Sequence, residues 1–338
     1  MDESMFGDWI NGRLGAYPSP IDYRNFRVRC ATPYELEELP DEYTELLDYA
    51  PTDPWPSQGD IGSCVGHDGA IVMEITNTLY KQYSKLSDIE KPIPIRYIED
   101  DLSAGWLYHW SRHYANVPDY VEGSTNLGLM KALNKEGTAL EVDVPTDTVA
   151  PWDGIDYSID DAERAKSYAV DSYWNVNPNP NDVKAAIYGL THIAPYKMPD
   201  DSQGKIPLVT AYPVYQSFSE SYDNGIVPMP KPGETLRGGH SSAVIGWKII
   251  DGEEYFVNFN SWGCEVGDGG LFYLPRDYPF YAGDFWLVHN GPVEDDDDEP
   301  TDCQVSLKTV DTLNWISDKL RRKTRFKAYV PIVTSQWC

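Results

Sequence analysis

Gln58-Gly59-Asp60-Ile61-Gly62-Ser63-Cys64 stands at a junction in this chain of 338 residues. Residues 51–57 before it, Pro-Thr-Asp-Pro-Trp-Pro-Ser, are turn chemistry. After it, Ile71, Ile75 and Leu79 recur every four residues with Val72 beside them, which predicts a helix that begins at Cys64 and buries one face. The thiol therefore sits at a helix N-terminus, where the positive end of the helix dipole favours the nucleophilic thiolate. The Gln58 amide lies six residues earlier on a glycine-containing loop. It can fold back beside the Cys64 N–H, and two such donors would stabilise a developing oxyanion.

Outward from this junction, helices are predicted over 102–114, 126–134 and 182–188, with a short one over 33–39 in an otherwise extended arm, residues 1–50. From residue 206 the pattern turns to strands: 207–212, then 241–250, then 254–259 after an Asp251-Gly252 turn, then 270–274. Helices first and strands later predict an α+β fold with segregated layers. Gly238-Gly239-His240 opens one of these strands, and Asn258-Phe259-Asn260-Ser261-Trp262-Gly263 closes the next. A two-residue turn brings His240 and Asn260 to the same end but about three residues out of register, roughly 10 Å. A bulge or a twist has to close that gap. Asn260 could then hold the imidazole by one nitrogen and leave the other for Cys64, the arrangement of nucleophile, base and orienter.

In this order, these segments resemble the papain-like cysteine peptidase family: Gln58, then Gly62-Ser63-Cys64, then Gly239-His240, then Asn260-Ser261-Trp262-Gly263. The bacterial and viral branch is the nearest match. Gly123-Ser124-Thr125 before a helix, Val214-Tyr215-Gln216-Ser217-Phe218, Lys231-Pro232-Gly233-Glu234 and Asp284-Phe285-Trp286 fit it. The resemblance covers residues 40–290. It implies a two-lobed fold, a helical lobe facing an antiparallel β-barrel-like lobe across a cleft. The catalytic domain would span 51–292, with the helical lobe over 51–155 and the β lobe over 156–292. Cys64 would be the nucleophile, His240 its acid/base, Asn260 the orienter and Gln58 the oxyanion donor. Trp262 would shield the Asn–His pair. Gly123 and Ser124 would either rest a substrate backbone or cap the following helix. The implied substrate is a peptide or protein, and no cofactor or metal is implied. Val65 stands where plant and lysosomal members have Trp, and Ile61 where they have a disulfide cysteine. No long inhibitory propeptide is expected, because residues 1–50 are short and irregular.

Composition narrows the alternatives. The chain carries 54 acidic and 27 basic residues, a net charge of −27, with 11 Trp and 24 Tyr. That much aromatic material excludes a disordered acidic chain. The acidity argues against a nucleic-acid partner and against docking on anionic membranes. No apolar run approaches a membrane span, and the N-terminus lacks a basic start before an apolar block, so a cytoplasmic or virion-associated location is expected. The five cysteines are expected to be free thiols, although four of them could pair. Residues 294–299, Glu-Asp-Asp-Asp-Asp-Glu, form an acidic linker within the 293–338 flank. The tail beyond it carries a basic amphipathic helix over 310–320 and a strand over 326–337, a surface for a docking partner or virion assembly. Two rival functions follow: a virion structural or interaction protein built on this fold, and a peptidoglycan amidase.

Overall fold

Thr32 and Glu35 form a capping box that starts helix α1 (Pro33–Glu37). It belongs to a computed structural model that describes residues 13–21, 25–28, 31–86, 101–148, 152–190 and 205–289, without the side chains of 80–86. The chain divides into two compact units, Met1–Val293 and Glu294–Cys338. All described residues belong to the first. The acidic run and the helix and strand expected in the tail lie outside them.

The helix predicted from Cys64 is α2 (Cys64–Leu86). Ile71, Ile75 and Leu79 are buried along it, as their spacing requires. Helix α3 (Ala104–Ala115) is capped by the Ser103 hydroxyl and ends at Asn116 in the left-handed conformation. Helix α3 packs against both α2 and α4 (Asn126–Lys135). Two shorter helices follow, α5 (Ile159–Lys166) and α6 (Pro180–Ile187). Only Ala165 of α5 is buried, so this helix carries no apolar period by which to find it. Its signal is the capping box formed by Ser158 and Asp161.

Strand β1 (Ala16–Tyr17) pairs in parallel with β2 (Ser124–Thr125). The larger sheet contains β3 (Ser172–Asn175), β4 (Leu208–Tyr215), β5 (Leu236–Ile250), β6 (Glu253–Phe259), β7 (Leu271–Pro275) and β8 (Phe285–His289). Its order is β3-β8-β4-β5-β6-β7, and every neighbouring pair is antiparallel. Strands β3 and β7 are its edges, so the barrel-like lobe is an open sheet within an α+β fold. No helix among the described residues is long and apolar enough to cross a membrane.

The hairpin of β5 and β6 sets the site. Asp251 and Gly252 both have positive φ, 51° and 86°, as a tight two-residue turn demands. From the turn the register runs Ile250 with Glu253 to Gly246 with Val257, and then shifts, so that Val244 faces Asn258 and Ala243 faces Phe259. The bulged residue is Ile245. Continued by one step, the shifted register sets Asn260 opposite Ser242. Side chains alternate faces with a period of two. Without the bulge Asn260 would face residue 243 and point away from His240. The single extra residue therefore turns the two onto one face and removes one of the three residues of offset.

The far end of β5 is covered by the arm. The Tyr43 N–H donates to the Trp247 carbonyl, and the Trp247 N–H returns the bond to Tyr43, each at 2.8 Å. A Cβ on Gly246 would come within 2.0 Å of the Tyr43 carbonyl oxygen, so this backbone contact requires glycine there.

Candidate active site

Cys64 is the first residue of α2 and is fully buried. His240 lies on β5 and Asn260 just beyond β6, both buried. His240 Nε2 donates to Asn260 Oδ1 at 2.7 Å. That bond places the hydrogen of a neutral ring on Nε2 and leaves a lone pair on Nδ1. Nδ1 has no well-formed hydrogen bond. The Trp262 ring lies over the imidazole, with centroids 4.4 Å apart and planes tilted by 41°. Trp262 thus covers one side of the imidazole.

Gln58 is held from both ends. Its Oε1 accepts from Ser261 Oγ at 2.9 Å and from Trp262 Nε1 at 3.1 Å. Its Nε2 donates to the Ile61 carbonyl at 2.7 Å and to the Arg13 carbonyl at 3.0 Å. The two motif segments are also joined through their backbones. The Gln58 N–H donates to the Ser261 carbonyl at 2.8 Å, and the Gly263 N–H to the Pro56 carbonyl at 3.1 Å. Trp55 stacks on Phe259 at 4.3 Å and donates to the Asn260 carbonyl at 3.0 Å.

The largest departure from the sequence reading concerns residues 13–19. These belong to the arm, and they run through the groove between the Cys64 loop and β5. The Gly15 carbonyl accepts from the Ser124 N–H at 2.7 Å. A Cβ on Gly15 would lie 1.8 Å from the Gly62 carbonyl oxygen, and one on Gly239 would lie 2.0 Å from that of Ala16. A Cβ on Gly123 would meet the Gly15 carbonyl oxygen at 2.6 Å and the Tyr17 ring at 2.7 Å. Leu14 lies against Gly238. Glycines 62, 123, 238 and 239 thus line a slot into which a main chain fits at close approach. The Ser19 N–H donates to Asp284 Oδ2 at 2.8 Å, and Ser19 Oγ accepts from the Leu127 N–H at 3.0 Å. Of the two readings of Gly123 and Ser124, the cap belongs to neighbouring Thr125, whose hydroxyl accepts from the Gly128 N–H. Ser124 instead presents its N–H to a backbone.

The arm also changes the electrostatics expected of the thiol. Burial pushes Cys64 up to about 12, although the N–H groups of Ser241, Gly15 and Val65 act the other way. Burial pushes His240 down to about 4, with the Asn260 bond and the Arg13 carbonyl opposing it. In this covered state burial opposes the helix terminus and favours the neutral thiol. His67, one turn after Cys64, is buried and its Nδ1 lies 3.3 Å from Ser63 Oγ. His109 and His113 pack edge-on against Trp110. Cys264 is free and exposed.

The sequence reading missed Asp68. It is fully buried one turn beyond Cys64, and it accepts from Ser241 Oγ at 2.6 Å. The signal available was its position on the apolar face of a helix.

The family model "Papain family cysteine protease" matches residues 155–282, which include His240, Asn260 and Trp262 but not Cys64 or Gln58. An uncharacterized peptidase C1-like protein of Acanthamoeba polyphaga mimivirus is 34% identical over 87 residues, 24% of this chain and 27% of that protein. The cathepsin B-like cysteine proteinase 3 of Caenorhabditis elegans is 30% identical over 117 residues, 32% of this chain and 31% of that protein. These matches thus span about a third or less of the curated relatives. Among solved structures, xylellain, a cysteine protease from Xylella fastidiosa, superposes with a TM-score of 0.63 at 23% identity. That superposition covers 83% of this chain and 97% of xylellain. The procathepsin B of Trypanosoma congolense superposes with a TM-score of 0.57 at 16% identity, over 83% of this chain and 87% of that one. Matched sequence and shared fold agree: over residues 155–282 this chain is similar to the papain family of cysteine proteases, and its fold is papain-like.

Proposed function

We propose that this protein is a cysteine endopeptidase that works through an acyl-enzyme, with residues 51–292 as its catalytic domain. The observation that carries this reading is the buried His240–Asn260 pair, bonded through Nε2 so that Nδ1 is left for the thiol, at the end of the groove where Cys64 begins its helix. In the proposed reaction His240 Nδ1 takes the Cys64 proton and the thiolate attacks a peptide carbonyl carbon. The oxyanion is received by Gln58 Nε2 and the Cys64 N–H. His240 then gives its proton to the leaving amine, and water resolves the thioester. Asn260 keeps the ring in the required tautomer throughout.

A peptide can enter only where the arm now lies, because the Arg13 carbonyl already accepts from Gln58 Nε2 and Gly15 covers Cys64. The folded chain is therefore the latent form in this reading, and the arm leaves before substrate binds. Cleavage of a mixed peptide library tests the function. Cys64→Ala should abolish turnover, a loss of at least about a thousandfold for a nucleophile. It should also abolish labelling by a thiol-directed electrophile at this site. Undiminished cleavage by the variant would refute the assignment.

A further inference from the structure

The Ser124 N–H that meets the arm stands at the start of β2, directly after an irregular loop, residues 118–123, that follows α3. A loop with no ladder of its own leaves its carbonyls without regular partners. Arg112, in the last turn of α3, is only 5% exposed and supplies those partners. Its Nη1 donates to the Val121 carbonyl at 2.5 Å and to the Gly123 carbonyl at 3.2 Å. Its Nη2 donates to the Pro118 carbonyl at 3.0 Å and reaches the Asp119 carbonyl at 3.5 Å. One turn earlier, the Tyr108 hydroxyl accepts from the Gly123 N–H at 2.7 Å and from Arg112 Nη1 at 3.3 Å. The guanidinium carbon lies 5.2 Å from the Tyr108 ring centroid.

Both main-chain groups of Gly123 are thus taken by this pair, its N–H by Tyr108 and its carbonyl by Arg112. With φ at +101°, Gly123 is in a conformation that side chains rarely adopt, so these bonds hold a backbone that would otherwise relax. The next N–H, that of Ser124, is thereby aimed into the groove. On its other side the loop is tied to the nucleophile's own loop, since Glu122 Oε2 accepts from the Gly62 N–H at 2.8 Å. A planar guanidinium with five donors can serve several carbonyls at once, which an ammonium cannot.

We propose that Arg112 and Tyr108 are positioning residues for peptide binding: they touch no reacting atom, and they fix the 118–123 loop so that the Ser124 N–H can pair with a peptide backbone lying in the groove. The substrate in this statement rests on the peptidase reading, whereas the clamp itself does not.

The test uses the full chain with Arg112→Met and Arg112→Lys. The first readout is the ratio of kcat/KM for an extended peptide to that for a single-residue ester that reaches only Cys64. Occupancy of the groove by the arm lowers both rates alike and cancels in the ratio. Arg112→Met should lower the ratio by about tenfold or more, and Arg112→Lys by less. The second readout is amide hydrogen exchange. In Arg112→Met, exchange over 118–127 and 13–19 should rise by about tenfold or more, while 64–79 stays within about twofold of wild type. An unchanged ratio with unchanged exchange would overturn the proposal. So would exchange rising equally in 64–79, because that is general loosening of the fold. If the wild-type chain cleaves neither substrate even after it is cut behind Ile21 and the arm is removed, the peptidase reading fails, and the exchange pattern of the full chain alone decides whether the clamp exists.

Discussion

Ser241 Oγ lies 2.6 Å from Asp68 Oδ2, 2.9 Å from Asn126 Oδ1 and 2.8 Å from the Thr210 carbonyl oxygen. A hydroxyl has one hydrogen to donate, and three acceptors surround it. A neutral Asp68 supplies a second hydrogen. Burial acts in the same direction, holding the Asp68 carboxyl well above the usual carboxylate range against the opposing bonds from Ser241 and the Thr210 backbone. The same burial keeps a negative charge from standing one helical turn behind the Cys64 sulfur, where it would oppose the thiolate. Linkage then gives a sign. The folded chain keeps the Asp68 proton while the unfolded chain releases it above about pH 4. The contribution of the neutral acid is full below that pH and is lost as pH rises toward the folded value. Asp68→Asn has nothing to titrate. Its stability relative to wild type should therefore rise with pH, by up to about 1.4 kcal/mol per unit. Urea midpoints at about pH 4.5 and 7.5 measure the difference, and parallel curves would mean that Asp68 is ionised in the fold.

Two elements decide whether the site exists and whether it is open. The first is the bulge at Ile245, which turns Asn260 onto the face of His240. The 251–252 turn was readable, and so was the need to close a three-residue offset. The bulge itself was not, because it is selected by what packs on β5. There Gly246 admits the Tyr43 backbone, a partner two hundred residues away in the chain. The second element is the arm. Its residues carry no periodicity, since an extended segment in a slot is held by main-chain bonds and fills no pocket in a repeating way. Residues 13–17 therefore read as irregular, although they seal the groove. If the chain is cut after Ile21 and the arm leaves, water reaches Cys64 and His240, and the burial that separates their pKa values is relieved. Alkylation of Cys64 by iodoacetamide at neutral pH should then speed up by at least about tenfold over the uncut chain. Equal rates would show that the arm does not limit access.

Across the whole molecule the charge of −27 becomes a statement about kinetics. An acidic field raises the local concentration of cationic peptides and fades as salt shortens its range, to about 10 Å at 0.1 M. Peptides with Lys or Arg near the cleaved bond should be favoured in kcat/KM over acidic ones at low salt, and the ratio should shrink as salt approaches about 0.5 M. A ratio indifferent to salt would assign any preference to local contacts.

The helix that begins at Cys64, the strands whose ends hold His240 and Asn260, and the order of the motif segments were legible in the sequence. These follow from local periods and turn chemistry, which act over a few residues. The facing of Asn260, the burial of Asp68, the Arg112 clamp and the occupied groove arise only in the folded chain. Each of those depends on the desolvation of a group, or on a backbone contact, between residues far apart in the chain, and neither leaves a pattern in neighbouring positions.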